Sequence, residues 1–339
     1  MAPGRYILRL RMDGFSGETQ LMYTDHATAL IPKAAPNGAS AVLARKSASA
    51  AVIDTLVTEK AGFTTVKTPI ESFSQTDIAI VLNASSSLPP VTNYSAMGPY
   101  ETVTETGTGP DGSYTIIRPK TLGVNGLLHA PITFGPGTGM QVSQLSNLLQ
   151  RIASHGFVII SRPLTGGPGD AVTRQRLIAG LDWIIAQNAV AGSAYQGKIA
   201  VKKAVAMGYS VGATGSIEIG GHEAIATVVA IHGHSAKGET HVPMLLIGGT
   251  NDLNGSQSWL APSYEASQTQ TFFSLMTGAD HGYIQGTVNG VQGGNETPAI
   301  IAWIRYWIYN DQGAKNYFYG DDCVMCKSPW TNPQRKNWK

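Results

Sequence analysis

From about Glu101 onward, short apolar runs alternate with longer stretches in which apolar residues recur every three or four positions. That alternation predicts repeated strand–helix–strand units. Strands are predicted at Tyr114 to Arg118, Ala130 to Phe134 and Phe157 to Ser161, the last apolar up to its final serine, as in a strand covered on both faces. Between the second and third, Val142, Leu145, Leu148, Leu149 and Ile152 share one face of a helix predicted over Val142 to Ser154, with Gly156 as its cap. A second amphipathic helix, Val172 to Gln187, turns Leu177, Leu181, Ile184 and Ile185 inward. Further strands are predicted just after Lys203, at Ala226 to Ile231, at Val242 to Ile247 and near Phe272 to Met276, with a closing helix from Pro298 to Tyr309. The expected architecture is α/β, a mostly parallel central sheet with helices on both faces and active groups at the C-terminal ends of its strands.

The first 95 residues do not share this rhythm. They offer strand-like runs at Tyr6 to Met12, Phe63 to Val66 and Asp77 to Leu82, an Ala/Ser-rich stretch from Ala34 to Ala51, and a helix predicted over Ala50 to Ala61. Ser85 to Pro90 reads as a linker. A small N-terminal α+β segment over 1–95 and a main domain over 96–339 are therefore expected. The first carries no visible catalytic constellation.

The main domain is organised around Gly208-Tyr209-Ser210-Val211-Gly212, set between an apolar strand and a small-residue helix start. A serine at such a turn is held in a strained conformation with its hydroxyl above the sheet edge, and a side chain on either flanking position would collide with its neighbours. Ser210 is thus the candidate nucleophile, at a helix N-terminus where N–H groups favour developing negative charge. A serine hydroxyl needs a base, and the base an orienting acid. Asp252 and His281 each follow a predicted strand, and the order Ser, Asp, His suits this kind of sheet. Asp280 and Asp170 are the competing acids. Activity of such a set needs neutral His281 and is expected to fall as pH drops through the histidine range.

Two backbone donors are needed for an oxyanion, and the expected pair is the N–H groups of Val211 and of Thr138 in the Gly135-Pro136-Gly137-Thr138-Gly139 turn. That glycine turn also supports a rival, a dinucleotide pyrophosphate site in an NADP-dependent reductase, with Arg162 toward a 2′-phosphate. The rival leaves Ser210, Asp252 and His281 unexplained, so no cofactor is expected. A catalytically dead binding module is a further alternative. His232 and His234 alternate at a strand end, with His241 nearby, which hints at metal ligands. No carboxylate or third ligand has suitable spacing, so these two histidines, with Tyr209, are expected to line the substrate cleft and no metal is expected.

Composition narrows the partners. Of 339 residues, 42% are hydrophobic and 14% charged, with a net charge of +2, so neither a polyanion nor nucleic acid is an expected partner. No run approaches 18 apolar residues, and Met-Ala-Pro-Gly-Arg at the start lacks the apolar core of a leader. Cys323 and Cys326, the only two cysteines, lack the context of a zinc or redox site, so a disulfide is expected. With the sparse charge, it leans toward secretion, a cytoplasmic protein being the alternative.

The Gly135 to Gly139 turn, the run Leu148 to Ile159 with its Ala-Ser-His-Gly-Phe-Val, the Ser210 pentapeptide, Leu246 to Asp252 and Gly278 to His281 together resemble the bacterial cutinase and polyester hydrolase branch of the α/β-hydrolases. The resemblance spans roughly 100–322. It implies Ser210, Asp252 and His281 as triad, Thr138 and Val211 as oxyanion hole, and an ester substrate, including insoluble polyesters such as polyethylene terephthalate or polycaprolactone; a lipase or short-chain carboxylesterase is the alternative. Thr138 stands where that branch has an aromatic residue, Tyr209 and Val211 replace its usual His and Met, and His234 lies about where it has a stacking Trp.

Overall fold

In the computed structural model, residues 88–339 are described apart from 235, 237–239, 254–255 and 339; within 1–87 the description is of the strand backbone. The chain divides into two compact units, Met1–Ser87 with Val124–Leu127, and Leu88–Gly123 with Leu128–Lys339. In the first, β1 (Gly4–Met12), β2 (Phe15–Tyr23) and β6 (Asp77–Leu82) form one three-stranded sheet, and β3 (Ser40–Ala44), β4 (Asp54–Glu59) and β5 (Val66–Ile70) another. The helix expected over Ala50 to Ala61 is not formed: β4 occupies its centre, pairing on both sides with β3 and β5. Thr55, Val57 and Thr58 are β-branched and suit that pairing better than a helical turn.

The second unit is a nine-stranded sheet in the order β17-β14-β13-β12-β11-β9-β10-β8-β7. Its strands are β7 (Thr102–Thr108), β8 (Tyr114–Pro119), β9 (Pro131–Gly135), β10 (Val158–Ser161), β11 (Ala204–Tyr209), β12 (Ile225–Ile231), β13 (Met244–Gly249), β14 (Thr271–Met276) and β17 (Trp330–Lys336). A two-stranded hairpin, β15 (Thr287–Val288) and β16 (Val291–Gln292), stands apart. The six central strands run parallel, while β7–β8, β8–β10 and β14–β17 pair antiparallel. Parallel strands covered on both faces are mostly apolar, and β9 to β14 are buried along almost their whole length.

The covering helices are α1 (Ser146–Ser154), α2 (Ala171–Gln187), α3 (Val211–Glu218), α4 (Ser256–Ala266) and α5 (Glu296–Tyr309). The predicted Val142 to Ser154 helix begins as a 3₁₀ segment, Val142–Leu145, before α1. Asp170 caps α2, accepting from the Val172 N–H at 2.9 Å, which is a structural duty. Strands β7 and β17 and helix α4 have no counterpart in the sequence reading. The edge strands are polar and half exposed, and α4 contains Pro262, so periodicity is weak in all three.

Three glycines set the distance between the sheet and α3. A Cβ on Gly212 would lie 1.9 Å from the Gly135 carbonyl oxygen, and one on Gly208 would lie 2.2 Å from the Gly212 backbone. Backbone cannot yield as a side-chain tip can. Gly212→Ala is therefore expected to destabilise the protein by about 3 kcal/mol, read as a lowered urea midpoint at unchanged slope.

Candidate active site

The strand β11 and helix α3 meet at Ser210, whose φ of 56° and ψ of −120° lie where a non-glycine residue is rarely found. This turn lifts its Oγ above the ends of the parallel strands. Ser210 Oγ lies 3.0 Å from Nε2 of His281, which follows β14. On the other side of that ring, Nδ1 lies 3.1 Å from both Oδ1 and Oδ2 of Asp252, which follows β13. Asp252 is buried, whereas the His281 side chain is 25% exposed and can pass a proton to something in the cleft. Asp280 and Asp170 have no such place: the bonds to His281 Nδ1 come from Asp252.

A cleft of about 330 Å³ is lined by Ser210 and His281 with Tyr209, Gly137, Thr138, Met140, Gln144 and Gln285. Thr138, Gln144 and Gln285 are exposed at its rim. Thr138 is fixed from the side, its Oγ1 donating to the Gly166 carbonyl at 2.8 Å and the next N–H, Gly139, to Leu164 at 2.8 Å. Val211 is the first residue of α3, so its N–H has no carbonyl within the helix to bond.

Tyr209 does more than line the cleft. Its hydroxyl donates to the His281 carbonyl oxygen at 2.7 Å and accepts from Gln285 Nε2 at 3.3 Å, tying the residue before Ser210 to the loop that carries His281. Burial is the main reason its phenol is pushed up to about 12. Tyr209→Phe keeps the ring and deletes the tie; kcat for ester cleavage should fall about three- to tenfold with KM little changed, in line with loss of a bond worth about 1 kcal/mol.

The sequence reading put His232 in the substrate cleft and found no carboxylate partner for it. The structure corrects both points. His232 sits in the interior, with a side chain 0% exposed, Nδ1 2.9 Å from Asp252 Oδ2 and Nε2 2.8 Å from Glu296 Oε1. Its φ of 49° turns the chain at the end of β12 and sends the ring inward, and Glu296 arrives from 64 residues downstream as the first residue of α5. His234 is half-buried and stacked on Trp259 of α4, with ring centroids 3.3 Å apart. No spacing rule relates such partners; the one local signal was a carboxylate at the start of a mostly apolar helix.

Electrostatics follow from these contacts. Burial alone would raise the Asp252 carboxyl, but the hydrogen bonds from His232 and His281 outweigh it and hold it down at about 2. Burial alone would likewise push His232 toward neutrality, yet the adjacent Glu296 charge and the bonds to both carboxylates raise it to about 9. A raised histidine stabilises the fold below its ordinary value of 6.5, and that contribution is lost as pH climbs through about 9. The depressed Asp252 stabilises above its ordinary 3.8 and loses its contribution as pH falls toward about 2. Thermal unfolding followed from pH 6.5 to 9 should therefore show a fall in midpoint that is reduced in Glu296→Gln.

His232, Asp252 and His281 bring potential ligand atoms within 4.8 Å of one another. Their closeness is that of a hydrogen-bonded chain: both nitrogens of each histidine already face a carboxylate or the Ser210 hydroxyl. Cys323 and Cys326 are joined, with Cα atoms 5.2 Å apart. Among the described residues, no helix is long and apolar enough to cross a membrane.

A nine-stranded, mostly parallel sheet with covering helices and a serine on the sharp turn between β11 and α3 is the α/β-hydrolase fold. Within it, the profile of the PET hydrolase-like family matches residues 89–330, and the chain belongs to that family. It is also similar to Cutinase est2 of Thermobifida alba, 28% identical over 193 residues that cover 54% of this chain and 61% of that protein. The chain thus spans less than two thirds of this relative's length.

Proposed function

We propose that the protein is a serine carboxylic-ester hydrolase that works through an acyl-enzyme on Ser210 and attacks polyesters. The observation that carries the reading is the unbroken line Ser210 Oγ, His281, Asp252, at 3.0 and 3.1 Å, opening on a cleft. In the first half-reaction Ser210 Oγ attacks the ester carbonyl while His281 Nε2 takes its proton, and the N–H groups of Thr138 and Val211 receive the charge on the carbonyl oxygen. His281 then hands the proton to the departing alcohol. In the second half-reaction His281 deprotonates a water that attacks the acyl group, and the carboxylate leaves with Ser210 restored. Asp252 holds the Nδ1–H tautomer and bears the imidazolium as it forms.

Substrate shape follows from the rim. Only twelve residues, 232–243, separate β12 from β13, too few for a lid built on that connection. An open groove suits a polymer chain. With Thr138 at the rim and His234 already stacked on Trp259, neither of these two positions offers a free aromatic clamp, which costs aromatic units about 0.5 to 1.5 kcal/mol of stacking. Aliphatic polycaprolactone should therefore be cleaved faster than polyethylene terephthalate. The test is release of soluble products from films of each by the full chain, beside p-nitrophenyl butyrate. Attack on the short ester with neither film touched would replace polyesterase by short-chain carboxylesterase. The Cys323–Cys326 bond and the low charge support secretion. Protein purified without reductant should then show no alkylatable thiol.

A further inference from the structure

Behind the three residues just assigned stands a buried pair that the proposed reaction does not use. Both ring nitrogens of His232 face carboxylate oxygens, Asp252 Oδ2 at 2.9 Å and Glu296 Oε1 at 2.8 Å, and all three side chains are 0–1% exposed. With Asp252 and Glu296 both ionised each can only accept, and two such bonds at once then put hydrogen on both nitrogens and make the ring a cation. Asp252 Oδ2 in turn is shared between His232 and His281. The pair is costly to keep. Glu296 Oε2 is buried without a partner, and His232 holds a positive φ of 49°. The position of Glu296 as first residue of α5 favours a negative side chain there.

We propose that His232 and Glu296 are positioning residues of the Ser210 site: Glu296 keeps His232 charged, and the His232 cation locks Asp252 behind His281 and sets the pH at which the base is lost. This rests on the reading of Ser210, His281 and Asp252 as the reacting set. With the Glu296 anion behind it, the cation orients Asp252 without leaving the buried group positively charged. The His232 and His281 rings are 6.0 Å apart, close enough for the charge on one to bear on protonation of the other. The other groups facing this chain are Tyr209 from β11, at 6.3 Å from the His232 ring and 5.3 Å from that of His281, Asp280 and Tyr283 beside His281, and His234 after β12. Tyr209 and Tyr283 are phenols raised by burial, so neither changes charge in the acidic range where the base is lost.

His232→Asn keeps a neutral N–H donor near the position of Nδ1 and deletes the charge. With the cation gone, the His281 ring is easier to protonate. The acidic limb of kcat/KM for p-nitrophenyl butyrate, followed from pH 4 to 9, should move up by about one pH unit, and the double variant His232→Asn/Glu296→Gln should move in the same direction. A limb that superimposes on that of the wild type in folded His232→Asn overturns the proposal. Nitrogen-15 spectra of the wild-type protein, labelled at its eight histidines, give a reading that does not depend on a variant folding. At pH 7.5 one imidazole should show both nitrogens protonated, and a spectrum in which every histidine has a bare nitrogen overturns the charged state. Failure of the catalytic reading itself would show separately, as hydrolysis surviving in Ser210→Ala.

Discussion

Ser210→Ala is expected to lower ester hydrolysis by about four to six orders of magnitude while leaving the free energy of unfolding within about 1 kcal/mol of wild type. The size of the loss follows from the chemistry: no other side chain in the cleft offers a nucleophilic oxygen 3.0 Å from a histidine nitrogen, among the described residues. What remains after the substitution is the rate of water helped by oxyanion donors and binding. Ser210 has no capping bond from its own side chain in α3, so its hydroxyl contributes little to the fold. The measurement is hydrolysis of p-nitrophenyl butyrate together with labelling by a fluorophosphonate probe. Labelling of Ser210→Ala at the wild-type rate would place the nucleophile elsewhere.

Asp252→Asn is expected to lower turnover by about three to four orders of magnitude, and Asp280→Asn to change it by less than about tenfold. Both oxygens of Asp252 lie 3.1 Å from His281 Nδ1, which fixes the hydrogen on Nδ1 and leaves Nε2 bare to accept from Ser210. An amide in its place can turn its NH₂ toward Nδ1 and stabilise the wrong tautomer. It would also face the N–H of His232 with half its acceptor capacity gone. Steady-state kinetics on the three proteins decide the matter, and a larger loss in Asp280→Asn than in Asp252→Asn would sink the assignment of the acid.

The site was legible in the chain to an uneven degree. Ser210 could be read because the turn that exposes a serine demands small residues at Gly208 and Gly212, and steric demands of that kind are local. Asp252 and His281 could be read because each follows an apolar strand, and strand ends in a parallel sheet share one edge. His232 could not. Its alternation with His234 suggested two side chains on one face, but β12 ends at Ile231 and the positive φ at His232 breaks the period on which that inference rested. In the N-terminal unit a helix was expected over Ala50 to Ala61, and pairing of β4 with β3 and β5 decided for a strand.

By itself, then, the sequence determined the alternation of buried strands and amphipathic helices, the sharp turn at Ser210 and the order in which its partners follow. All of these depend on neighbours within a few residues or on burial of continuous apolar runs. Tertiary structure alone decided which carboxylate meets His281, how closely Gly135 approaches Gly212, and that a histidine would be sealed between Asp252 and Glu296. Those contacts join residues 20 to 77 positions apart, and chain periodicity carries no information about which side chains converge once a sheet has closed over them.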